Sequence, residues 1–137
     1  MKQIWKELKE SRTLELKMQQ VESKKPRLEE RLPILLRSVI RLCKGYQTEL
    51  IAKRIIPQLV ASVGSIGANY EESTAAMSKK DFIKCLKIAR KEARESIIWL
   101  EGLDELSEGS NKDIPKIIQE VKEVGYILTS IISKSDS

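Results

Sequence analysis

The stretch SVGSIGANYEES, residues 62–73, decides how the rest of the chain is read. Two glycines, three serines and an asparagine in twelve residues give it the look of a loop, and Gly64-x-x-Gly67 suggests a phosphate cradle. A nucleotide-hydrolase phosphate loop, however, needs Gly-x-x-x-x-Gly-Lys-Ser/Thr between a strand and a helix. Here Ala68 follows Gly67, no lysine is present, and Glu71 and Glu72 would repel phosphate. A Gly-x-x-Gly clamp for nucleic acid normally presents basic residues between its glycines, whereas this one presents Ser65 and Ile66. A helix fits better. Ser62, Ser65, Asn69 and Glu72 recur at helical spacing as one polar strip. The glycines weaken a helix by roughly 1 kcal/mol each, which is tolerable where another helix approaches closely. The expectation is the second half of a helix making a tight, partly polar contact. A solvated polar face with incidental glycines is the plainer alternative.

Outward from that stretch, the apolar pattern predicts four core helices. The first spans about Leu28 to Lys44, with Leu32, Leu35, Leu36, Val39, Ile40, Leu42 and Cys43 as its buried stripe and Gly45 at its stop. Pro33 suits a first turn, so the start could fall as late as Arg31. The second is expected from a Thr48 cap to about Ala75, kinked at Pro57, with Leu50, Ile51, Ile55, Leu59, Val63, Ile66 and Tyr70 on one side. Ser78-Lys79-Lys80-Asp81 has the form of a capping box opening the third. Its stripe is Phe82, Leu86, Ala89, Ala93, Ile97, Leu100 and Leu103, and Gly109 punctuates its end. The fourth covers about Ile114 to Ser133. The fold class that follows is all-α, an antiparallel up-and-down four-helix bundle over residues 28–133. Residues 1–27 form an N-terminal extension with a weak helical pattern, and residues 134–137 a disordered tail.

Composition sets further bounds. At 137 residues the chain suits one domain, and 6 glycines and 4 prolines are too few for a many-stranded β fold. With no histidine there is no His base, no Ser-His or Cys-His pair and no Glu-x-x-His di-iron site. Two cysteines without histidine make a zinc site a poor expectation, and Cys43 and Cys85 read as buried thiols of a cytoplasmic protein. No membrane span is expected, because the longest uncharged run, Ile55 to Tyr70, holds a proline and two glycines. Nothing in the first twelve residues resembles a signal peptide. No cofactor and no small-molecule substrate are implied.

The net charge of +5 is unevenly spread. Residues 1–31 hold nine basic and six acidic groups, residues 32–60 five basic against Glu49 alone, and residues 61–110 seven against nine. A positive N-terminal half points to a polyanion, although basic helix faces also serve only for solubility. Arg37, Arg41, Lys44, Lys53 and Arg54, dense where acids are rare, are the nucleic-acid candidates. They would hold phosphates without reading bases.

Several motifs in order are diagnostic. Ser65-Ile66-Gly67-Ala68-Asn69-Tyr70-x-Glu72, then Ser78-Lys79-Lys80-Asp81-Phe82, then Glu92-Ala93-Arg94-Glu95 with Trp99-Leu100 resemble the family called the four-helix bundle protein, over about residues 29–132. Its members include proteins encoded in intervening sequences of bacterial 23S ribosomal RNA genes. The resemblance implies a homo-oligomeric ring, typically a pentamer, with no recognised catalytic residues. A related branch, the accessory proteins of diversity-generating retroelements, binds a reverse transcriptase and nucleic acid. By position, Ser65, Asn69, Glu72, Asp81, Phe82, Glu92 and Glu95 carry over as helix-packing candidates. One departure stands out: the family's usual arginine before the serine matching Ser62 is Ala61 here, so a contact made by that arginine does not carry over.

Three functions compete. A non-enzymatic oligomer binding RNA, DNA or a nucleoprotein partner through its basic surface is the leading expectation. The alternative is a protein-interaction scaffold without nucleic acid, with Ile4, Trp5 and Leu8 of the extension as partner-docking anchors. An enzyme built on Glu71, Glu72, Asp81, Glu92 and Glu95 is disfavoured, since ion pairing explains those carboxylates without chemistry.

Overall fold

The structure, a computed structural model, describes residues 26–136. Its helices are α1, Leu28–Lys44, α2, Ala52–Thr74, α3, Lys79–Leu106, and α4, Asp113–Asp136. Each packs on its neighbour in sequence, α4 returns to α1, and the backbones of the diagonal pairs stay apart. With connections only as long as residues 45–51, 75–78 and 107–112, successive helices run antiparallel. The chain is an up-and-down four-helix bundle, as the hydrophobic pattern predicts. Ile4, Trp5 and Leu8 lie outside the described residues. α4 continues to Asp136, so residues 134–136, expected as tail, are helical.

The core is aliphatic. Leu59, Ile66, Leu86, Leu100, Leu103, Ile114, Leu128 and Ile132 are fully buried, two from α2 and three each from α3 and α4, and Val39 joins them from α1. Removing such surface from water contributes about 25 cal/mol per Å². Three stripe residues fall outside the core. Ile40 is 40% exposed on α1, and Leu50 and Ile51 are 78% and 57% exposed. The last two precede α2, because that helix starts at Ala52 and not after Thr48. The Glu49 side chain closes the turn there, accepting the Ile51 N–H at 3.1 Å. That late start makes Pro57 only the sixth residue of a helix that continues unbroken to Thr74. Pro33 likewise lies within α1, which begins at Leu28 and not near Arg31.

The ends of α3 follow local rules. Ser78 Oγ accepts the Asp81 N–H at 3.1 Å, the N-cap bond that the capping-box sequence predicts. At the other end the Gly109 N–H reaches Asp104 O at 3.1 Å and the Glu108 N–H reaches Glu105 O at 3.0 Å. These are the paired bonds of a Schellman stop. The residue that turns left-handed first is Glu108, at φ 52°, with Gly109 next at φ 72°. Gly45, by contrast, ends α1 in the right-handed region at φ −73°.

The 62–73 stretch is helical throughout, but its small residues do not act together. A Cβ placed on Gly67 would meet Leu32 of α1 at an ordinary 3.8 Å, and one on Gly64 would meet nothing within 4 Å. The polar strip turns back on its own helix: Ser62 Oγ donates to Gln58 O and Asn69 Nδ2 to Ser65 O, both at 2.8 Å. The partly polar contact of this stretch with another helix is made by Tyr70, whose hydroxyl donates to Glu29 Oε1 of α1 at 2.7 Å, and not by the strip or the glycines. Close approach occurs instead at Gly102 of α3, where a Cβ would sit 3.3 Å from Ile55 Cδ1 of α2.

Candidate nucleic-acid interface

The five basic candidates all lie on the surface. Arg37, Arg41 and Lys44 follow one another at spacings of four and three on a single face of α1, while Lys53 and Arg54 sit in the first turn of α2. Arg41 also borders a cleft of about 390 Å³ with Ser38, Asn111, Asp113 and Lys116, between the end of α1 and the start of α4. That corner is stiffened by a hydrogen-bonded chain. Tyr46 Oη pairs with Ser107 Oγ, Asn111 Nδ2 donates to Tyr46 Oη at 3.0 Å, and Asn111 Oδ1 accepts the Asp113 N–H at 3.0 Å. Two connecting loops are thereby joined beneath the cleft.

A second basic surface escapes the charge sums. Lys79, Lys80, Lys84, Lys87 and Lys91 line one groove of about 740 Å³ on α3, floored by Ile83 and Ile88 and closed by Asp136 near the end of α4. Between residues 79 and 94 there are seven basic residues and two acidic ones, Asp81 and Glu92. A window of fifty residues hid them behind the acidic end of the same helix. A smaller cleft of about 170 Å³ farther along α3 gathers Arg90, Arg94, Lys122 and Tyr126. Burial there, with Arg94 alongside, lowers the Arg90 pKa from its ordinary value. Among the described residues, none of the five α1/α2 candidates or the five groove lysines makes a salt bridge.

The motif residues do not form one site. Asn69 bonds to Ser65 O, Asp81 serves the cap of α3, Phe82 packs half-buried against the core, and Glu72 is exposed. Glu92 and Glu95 do meet. Desolvation, reinforced by the Glu95 charge, raises the Glu92 carboxyl above its usual range. Among the described residues no three metal-ligating side chains come together.

One ionic constellation went unforeseen. Arg31, only 3% exposed, sends Nε to Glu120 Oε2 at 3.0 Å and Nη2 to Glu120 Oε1 and Glu123 Oε2, both at 2.6 Å. It locks α1 to α4. A sequence signal existed: Arg31 falls within the buried stripe, three residues after Leu28 and four before Leu35. A cation at such a position requires carboxylates opposite it.

Residues 34–130 match the 23S rRNA-intervening sequence protein family. The chain belongs to that family. It is also similar to the crystal structure of a protein of unknown function from the S23 ribosomal protein family of Bacteroides thetaiotaomicron VPI-5482. That match has a TM-score of 0.70 at 32% identity and covers 76% of this chain and 96% of the other. No curated protein matches it. Among the described residues no helix is long and apolar enough to cross a membrane.

Proposed function

We propose that this member of the 23S rRNA-intervening sequence family is a non-enzymatic, homo-oligomeric RNA- or DNA-binding protein. The observation that carries the proposal is the two exposed sets of cations, on α1/α2 and on α3, with no salt-bridge partner among the described residues. Exposed cations held in no salt bridge can pair with phosphates without first breaking an ion pair, and the counterions they displace from the nucleic acid drive such binding. The bundle supplies a rigid frame and no chemistry of its own. The resemblance to ring-forming relatives supports assembly as a pentamer, which would repeat each patch around the ring and raise affinity through multivalency. Ribosomal RNA is the first polyanion to test, with a reverse transcriptase as a candidate nucleoprotein partner.

The experiment is binding of mixed-sequence RNA and DNA across a salt series, with the solution mass measured in parallel. The expected result is affinity that falls steeply with salt and little dependence on sequence. A well-folded oligomer that binds neither at low salt would refute the proposal, and a monomer at micromolar concentration would remove the ring. A protein-docking role has one observation in its favour, the exposure of Leu50 and Ile51 beside Lys53. Loss of a captured partner on Leu50→Ser with nucleic-acid binding intact would establish it.

A further inference from the structure

We infer that the lysine-lined groove of α3 takes single-stranded nucleic acid in preference to duplex. The inference rests on the nucleic-acid function proposed above and names the form that this groove accepts. From Lys80 to Lys91 the helix advances about 16 Å at its rise per residue. Lys84 and Lys87 stand between at helical spacing, with Lys79 at the end where α4 brings Asp136, so the ammonium groups form a ladder along one wall. Between them the floor is apolar, made by Ile83 and Ile88 and by the methylene stems of the lysines.

A ligand that satisfies both features must carry closely spaced negative charge along one edge and apolar surface along the other. A duplex meets the first requirement only. Its bases are stacked and paired inside, so it could touch the lysine heads from above but would leave Ile83 and Ile88 in water. An unpaired strand meets both, because its phosphates can follow the ladder while its unstacked base faces settle on the floor. No aromatic side chain lines the groove, so base contact is aliphatic and sequence-tolerant. Asp136 is the one carboxylate lining the groove, and in the antiparallel bundle it lies toward the Lys79 end, where it weakens phosphate binding.

Four phosphate contacts, at Lys80, Lys84, Lys87 and Lys91, give a single strand a salt slope of about −2.8, a loss of roughly 50-fold between 50 and 200 mM salt. The test compares a mixed-sequence single-stranded RNA with a duplex of the same length, using full-length protein, the Lys84→Gln/Lys87→Gln variant and the Arg37→Gln/Arg41→Gln variant. All four substituted residues are exposed, so folding is retained and is checked by helical circular dichroism. The expected result is single-strand binding tighter than duplex by about tenfold, with the slope falling by about 1.4 in the α3 variant. If duplex binds as well as single strand, or the α3 variant keeps the full slope while the α1 variant loses it, the inference fails and the general function stands. If neither nucleic acid binds the parent protein at low salt, both fall. If an acidic amphipathic peptide binds the groove in a Lys84- and Lys87-dependent way and RNA does not displace it, the groove is a peptide site and the inference is overturned.

Discussion

Replacing Arg31 with methionine tests what fastens α1 to the bundle. The guanidinium is 3% exposed and has Glu120 and Glu123 of α4 at 2.6 Å, with Glu120 gripped through two bonds. Burial works against its charge, but the two carboxylates outweigh burial and raise the Arg31 pKa above its ordinary value. Its stabilisation is therefore full at neutral pH and does not titrate there. Removing one partner of a buried pair costs about 3–5 kcal/mol. Glu120 and Glu123 keep side-chain exposures of 26% and 14%, so they regain part of their hydration, which places Arg31→Met near the lower bound, about 3 kcal/mol. For a chain of this length that lowers Tm by about 10 °C. The Nη1 atom, buried without a hydrogen-bond partner, offsets a little of the loss because its removal relieves an unmet donor. Urea unfolding at fixed protein concentration measures the change as a shift in midpoint at constant slope. The triple variant Arg31→Met/Glu120→Leu/Glu123→Leu should return to within about 1 kcal/mol of the parent, since apolar replacement of a buried ion group is close to neutral. A loss under about 0.5 kcal/mol in the single variant would refute the assignment. So would a triple variant as unstable as the single one, which would trace the loss to packing.

Three further outcomes are expected. Gly64→Ala should stabilise by about 1 kcal/mol, because a helical glycine with open space at its Cβ only lowers propensity; Gly102→Ala, facing Ile55 Cδ1 at 3.3 Å, should gain nothing, and thermal melts of the pair read the difference. Glu108→Gly should stabilise by about 1 kcal/mol on the same measurement, since it removes a left-handed non-glycine residue. Burial, and next the hydroxyl it donates to Glu29 Oε1 at 2.7 Å, push the Tyr70 phenol up to about 12. The α1–α2 stability from that bond is thus full between the ordinary carboxyl and phenol pKa values, and is lost as pH rises through about 12 and again at acid pH, where Glu29, held below its usual range by the same bond, takes up a proton; a phenolate absorbance titration should show a late tyrosine whose midpoint falls in Glu29→Gln.

The helices were legible because their apolar residues repeat at helical spacing over long windows, and Leu59, Val63 and Ile66 or Leu86, Ala89, Ala93 and Leu100 are buried as that period requires. What misled was local. Leu50 and Ile51 continue the period of α2 backwards, but Glu49 closes a turn through its own carboxylate and the helix starts beyond them. The glycines of 62–73 mark the family without making the contact, which falls to Gly102, a lone glycine in a charged segment with nothing in its surroundings to announce it. Arg31 is a three-dimensional fact: its partners are 89 and 92 residues away, so only its place in the apolar stripe hinted at them.

The charges carry a further lesson in their order along each helix. α1 begins with Glu29 and Glu30 and ends with Arg41 and Lys44, and α4 begins with Asp113 and ends with Lys134. Both arrangements suit the helix dipole, which favours anions at the start and cations at the end, so Arg41 and Lys44 have a sufficient reason in stability alone. α2 and α3 are reversed. α2 opens with Lys53 and Arg54 and has no acid in its first turn and no base in its last. α3 opens on Lys79 and Lys80 with Asp81 as its one first-turn acid, and its last two turns hold Glu101, Asp104 and Glu105 and no base. Each such reversal opposes the dipole by a few tenths of a kcal/mol per charge, and it recurs on the two helices whose starts lie at opposite ends of an antiparallel pair. Folding does not ask for cations there, and among the described residues no salt bridge engages them. Lys53, Arg54, Lys79 and Lys80 are therefore the basic residues whose placement the helix dipole does not explain. The 23 residues of α2 set the starts of α2 and α3 about 35 Å apart, a separation that one flexible strand can bridge and one small anion cannot.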